Sequence, residues 1–119
     1  MTYKILVVDD EPEILNLMKI ILSAVGYETV TAVDGPEAIE RTIAERPHLI
    51  LLDLWLPKMN GIQVMKYLQR DDRTSSIPII LVTADANYQA AAGDLVLKDV
   101  VLKPFETEEM LGKISSYLS

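Results

Sequence analysis

The chain has 119 residues, half of them apolar, with 11 basic against 18 acidic side chains and a net charge of −7. That length suits one domain with a sizeable core, expected to span residues 1–119, and the lack of cysteine excludes disulfides and thiolate metal sites. The acidic balance argues against direct nucleic-acid binding, whose phosphate footprint needs clustered Lys and Arg.

The chain opens on an apolar strand, KILVV (4–8). No charged n-region and apolar h-region precede it, so no signal peptide is read and a cytoplasmic protein is expected. Asp9 and Asp10 follow at once. Ile14, Leu17, Met18, Ile21 and Val25 then recur at helical spacing, with Pro12 suited to the first turn and Gly26 to the stop. ETVTAV (28–33) reads as a less buried strand. Asp34 caps a second helix carrying Ala38, Ile39 and Ile43, ended by Pro47. His48, the only histidine, begins the next strand and is expected at the surface.

HLILLD (48–53) and IPIILVT (77–83) are nearly continuous apolar runs, as expected for strands covered on both faces. Between them lie the loop LWLPKMNG, a third helix marked by Ile62, Met65 and Leu68, and a polar connection, RDDRTSS (70–76). ANYQAAAGDLVLK (86–98) should hold a fourth helix, although Gly93 interrupts it. DVVL (99–102) is a short last strand, and Thr107 caps a final helix with Met110, Leu111, Ile114 and Leu118 inward. No apolar run reaches membrane-spanning length, so no membrane contact is expected.

Alternating strands and helices imply an α/β fold, a doubly wound five-stranded parallel sheet with helices on both faces. Ligands of such sheets bind beyond the carboxyl ends of the strands. There this sequence places Asp9 and Asp10 (strand one), Asp53 (strand three), Thr83 (strand four) and Lys103 (strand five). Any one of these could cap a helix or begin a turn; five at matching ends point to a site. Two carboxylates about 4 Å apart repel by roughly 4 kcal/mol at an effective dielectric of about 20, so the cluster calls for a cation. Mg²⁺ suits an all-oxygen donor set. A carboxylate beside such an ion, with a hydroxyl and an ammonium nearby, is a phosphoryl-transfer constellation. No GxxxxGK[ST] pattern is present, which disfavours a nucleotide-binding loop.

The acid pair in VVDDEP, then DLWLPKMNG, the threonine in LVTAD, and LKPF resemble, in that order and over the whole chain, the receiver domain of bacterial two-component response regulators. The likeness extends to the single-domain regulators of chemotaxis and sporulation. The resemblance implies a flavodoxin-like, three-layer α/β/α fold with strand order 2-1-3-4-5. It implies Asp53 as phosphoacceptor from a sensor histidine kinase or histidine phosphotransfer protein. Mg²⁺ would be held by Asp10, Asp53 and the backbone carbonyl of Trp55, and by Asp9 through water. Thr83 and Lys103 would stabilise the phosphoryl group, and the Lys103–Pro104 bond would be cis. It further implies a self-phosphorylating and autodephosphorylating switch, not a turnover enzyme, acting on an output protein or domain. The helix 4, strand 5 and helix 5 face would also serve homodimers.

The family's aromatic residue three positions before the lysine is here Val100, whose β-branched side chain cannot swing a ring between two sites. Trp55 is read either as overhanging the pocket or as covering apolar surface, and Asp85 as a solvated rim residue. An unphosphorylated docking module is the alternative function. A small phosphohydrolase is disfavoured, since neither a cap nor a further acid for activating water is evident. With no residues after the last helix, a stand-alone domain is one expectation and a receiver from a longer regulator the other.

Overall fold

The computed structural model describes residues 2–95 and 97–118. Met1 and Ser119, the ends of the expected domain, and Val96, in the expected fourth-helix stretch, lie outside the described residues. The elements are β1 (Lys4–Val8), α1 (Pro12–Ala24), β2 (Glu28–Ala32), α2 (Gly35–Glu45), β3 (Leu49–Leu52), α3 (Gly61–Arg70), β4 (Ile79–Thr83), α4 (Tyr88–Ala92), β5 (Val100–Leu102) and α5 (Thr107–Leu118). The five strands are parallel, in the order β2-β1-β3-β4-β5. The expected flavodoxin-like sheet is therefore present.

Strand alternation divides the core between the two faces of this sheet. Ile5, Val7, Leu49, Leu51, Ile80, Val82 and Val101 pack with Met18 and Leu22 of α1 and with Met110 and Ile114 of α5. The intervening Leu6, Val8, Ile50 and Leu52 pack with Ala38 of α2 and with Val64, Met65 and Leu68 of α3. Strands covered on both faces need apolar residues at every position, which explains the unbroken runs in β1, β3 and β4.

Four expectations are corrected or sharpened. The inward face of α1 is Leu15, Met18 and Leu22, while Leu17 and Val25 are exposed. α1 carries apolar residues around most of its circumference, so periodicity alone does not select the buried stripe. His48 is half-buried: its Nδ1 accepts from the Lys4 N–H at 2.9 Å, and its ring meets Tyr3 edge-on. The fourth helix is only five residues long and stops at Gly93, which has positive φ. Thr107 is the first residue of α5, not its cap.

Candidate functional site

Parallel strands bring their last residues to one edge, and the hydrogen bonds continue past the strand ends. The Asp53 N–H donates to the Val8 carbonyl (3.0 Å), the Asp9 N–H to the Ala32 carbonyl (3.1 Å), and the Lys103 N–H to the Thr83 carbonyl (2.8 Å). Residues 9, 53 and 103 thus continue the parity of Val7, Leu51 and Val101, the side that faces α1 and α5. Thr83 continues the parity of Leu81, which packs beside α4 with Leu54, Ile62 and Ala92.

One carboxylate oxygen from each of Asp9, Asp10 and Asp53 lies within 4.8 Å of the others. Asp9 and Asp53 are buried and Asp10 is exposed. Lys103 reaches into the group, its Nζ 2.5 Å from Asp9 Oδ2 and 3.4 Å from Asp53 Oδ2. Three carboxylates against one ammonium leave two negative charges uncompensated in this cluster. Burial pushes the Asp53 carboxyl above its ordinary range; Lys103 opposes this and Asp9 adds to it. For Lys103, burial favours the neutral amine, but the hydrogen bond to Asp9 and the charges of Asp53 and Asp9 hold the pKa above its ordinary value. The ammonium sits closer to Asp9 than to Asp53, which leaves Asp53 under-compensated.

The loop after Asp53 is clamped on both sides. Lys58, at positive φ, pairs with Asp34 (3.3 Å), and the Gly35 N–H approaches the Pro57 carbonyl. Asn60 caps α3 through a capping box with Gln63, a signal the Asn-x-x-Gln spacing carries. Gly61 begins α3 with its backbone against Asp53: a Cβ there would lie 2.4 Å from the Asp53 carbonyl oxygen and 3.0 Å from Leu54 Cα. Backbone cannot yield as a flexible side chain can. Gly61→Ala is therefore expected to destabilise the protein by about 2 kcal/mol or more, within the range of overpacking and strain effects. A denaturant melt checks this.

Thr83 is fully buried, and its Oγ1 accepts from the Asp85 N–H at 3.2 Å. The structure thus gathers Asp9, Asp10, Asp53 and Lys103, and places Thr83 at the neighbouring strand end with its hydroxyl engaged by the following loop. The Lys103–Pro104 peptide is cis. Asp85 is more than a solvated residue. It accepts from Trp55 Nε1 at 2.9 Å and from the Asn87 N–H at 2.8 Å. Trp55 is 54 % exposed, so its indole bridges two loops at the rim and does not cover a core. Among the described residues no helix is long and apolar enough to cross a membrane.

Comparison with known proteins places these features in a family. The model for the response regulator receiver domain matches residues 5–115. The chain is 39 % identical over 117 residues to the DNA-binding dual master transcriptional regulator RpaA of Synechocystis, covering 97 % of this chain and 48 % of that protein. The chain spans about half the length of the curated relatives it matches. Among solved structures it is similar to the chemotaxis protein CheY4 of Vibrio cholerae, at TM-score 0.88 and 27 % identity, covering 98 % of this chain and 99 % of that one. The receiver domain of the sensor histidine kinase PA1611 of Pseudomonas aeruginosa, solved with a magnesium ion coordinated in its active site cleft, shares the fold at TM-score 0.90 and 24 % identity, with 98 % of each chain covered.

Proposed function

The chain belongs to the response regulator receiver domain family of two-component signalling, and from that premise we propose that residues 1–119 form one receiver domain whose Asp53 accepts the phosphoryl group. The observation that carries this reading is the placement of a buried Asp53 carboxylate beside Asp9 and Asp10, with the Lys103 ammonium 3.4 Å away. The family is not in general one of turnover enzymes, and this domain is read as a switch that gains and loses the group on its own residue.

The donor is a phosphohistidine of a sensor histidine kinase or phosphotransfer protein. An Asp53 carboxylate oxygen attacks phosphorus in line, the bond from phosphorus to the donor imidazole nitrogen breaks, and the imidazole leaves with that electron pair. Lys103, displaced from Asp9, stabilises charge on the phosphoryl oxygens, and the Thr83 hydroxyl donates to one of them. Water later attacks the phosphorus, inorganic phosphate departs, and the Asp53 carboxylate returns.

The donor set fits a hard divalent cation: carboxylate oxygens converge, no histidine or cysteine competes, and the local charge is negative. Asp10, Asp53 and the Trp55 carbonyl would hold Mg²⁺, with Asp9 acting through water. The ion would neutralise charge on the carboxylates and on the phosphoryl oxygens. At a hundredfold excess over its dissociation constant, Mg²⁺ is expected to stabilise the fold by about 2.7 kcal/mol, because only the assembled cluster binds it. Trp55 emission should change over the same titration. A melting curve and an emission spectrum indifferent to Mg²⁺ would count against the metal site.

The added charge then biases a two-state element toward output. RpaA is named as a DNA-binding regulator; for this chain an output domain or separate protein, engaged through α4, β5 and α5, is the corresponding proposal. The direct test is acetyl phosphate with Mg²⁺. Intact mass should rise by one phosphoryl group, and chelation should prevent it. No gain in folded protein would favour an unphosphorylated docking module.

A further inference from the structure

The loops flanking the acid cluster are joined by a hydrogen-bonded chain through the side chains of Trp55 and Asp85, which the phosphoacceptor chemistry above does not use. Trp55, two residues after Asp53, donates its indole N–H to Asp85 Oδ2 at 2.9 Å. Asp85 Oδ1 accepts from the Asn87 N–H at 2.8 Å, which fixes the turn leading into α4. The Asp85 N–H in turn donates to Thr83 Oγ1 at 3.2 Å. A hydroxyl has one proton to donate and lone pairs to accept with. With Oγ1 receiving the Asp85 N–H, the single Thr83 proton is left to be donated elsewhere. A half-exposed indole has little packing reason to hold this geometry, whereas both oxygens of Asp85 are used to hold it.

Resting on the phosphoacceptor reading, we propose that Trp55 is a positioning residue for phosphoryl transfer: through Asp85 it holds the β4–α4 loop so that the Thr83 hydroxyl is oriented to donate its proton to the phosphoryl group arriving on Asp53. Trp55 lies on the loop that leaves the acceptor, so acceptor and hydroxyl are referenced to each other across the cleft. The contribution is realised as charge develops on the phosphoryl oxygens. It therefore acts on the transition state more than on donor binding.

A mutant cycle on the full chain, with acetyl phosphate and Mg²⁺ and with uptake followed by intact mass, tests this. Trp55→Phe keeps a ring and removes the N–H; Asp85→Ala removes the acceptor. Each is expected to slow maximal uptake roughly three- to tenfold, the effect of one hydrogen bond, with the half-saturating acetyl phosphate concentration unchanged. The double variant should be no slower than the slower single one. In a Thr83→Ala background, Trp55→Phe should have no further effect. Multiplied losses in the double variant, a change confined to half-saturation, or an undiminished Trp55→Phe effect without the Thr83 hydroxyl would overturn the proposal. If Asp85→Ala does not fold, the Thr83→Ala comparison decides alone. Absence of uptake by the wild type would instead defeat the Asp53 reading itself.

Discussion

Asp53→Asn is expected to abolish phosphoryl uptake and, in the absence of divalent cations, to raise the melting temperature. The amide cannot form the acyl phosphate, so mass gain from acetyl phosphate should disappear completely. The stability effect follows from the electrostatics. Burial, reinforced by Asp9, raises the Asp53 pKa above its ordinary value of 3.8 despite the opposing Lys103 charge. An acid whose folded pKa is raised loses stability as pH rises from its unfolded value through its folded one. The penalty is therefore absent below about 3.8, the ordinary value, and grows as pH rises above it. The gap between variant and wild type should be largest near neutrality, shrink on acidification, and narrow when Mg²⁺ is added to the wild type. Thermal melts across pH, with and without the ion, check each part. A variant less stable than wild type at neutral pH would mean that the Lys103 contact outweighs burial.

Lys103→Met should do the opposite. Methionine keeps much of the side-chain length and removes the only ammonium that, among the described residues, lies within 4 Å of the buried Asp9 and Asp53 carboxylates. Removing one partner of a buried pair costs about 3–5 kcal/mol. Lys103 retains some exposure, which places the expected loss near the lower end, about 3 kcal/mol. Mg²⁺ should recover much of it, and should bind the variant more tightly than the wild type, because ion and ammonium compete for the same oxygens. Uptake from acetyl phosphate should still fall by about 10²–10³, the usual effect of losing one charge-stabilising donor. Chemical denaturation and Mg²⁺ titration of the two proteins decide this. Equal metal-free stabilities would show that the ammonium does not hold the cluster together.

How much of this was legible in the sequence depended on which force set each feature. Strands buried on both faces must be apolar at every position, so β1, β3 and β4 stood out, and the polar residues ending them marked the site edge. In α1, apolar residues on most sides left the inward stripe undetermined; contacts with β1 and α5, not local spacing, select Leu15, Met18 and Leu22. The Ala-rich stretch of α4 has little apolar contrast, and only Gly93 signalled its early end. Asp85 was read as solvated because its partner lies 30 residues away in the chain, beyond any local pattern. Asn60 and Gln63 could have been recognised from spacing alone. His48 could not, since its partner is the backbone N–H of Lys4 on another strand.

Every functional step above requires the phosphoryl group to sit on one side chain. The wild-type chain, treated with acetyl phosphate and Mg²⁺ and then with borohydride, should yield a single reduced carboxylate on peptide mapping, at position 53. Modification at Asp9, Asp10 or any acid outside the cluster, with Asp53 untouched, would contradict it.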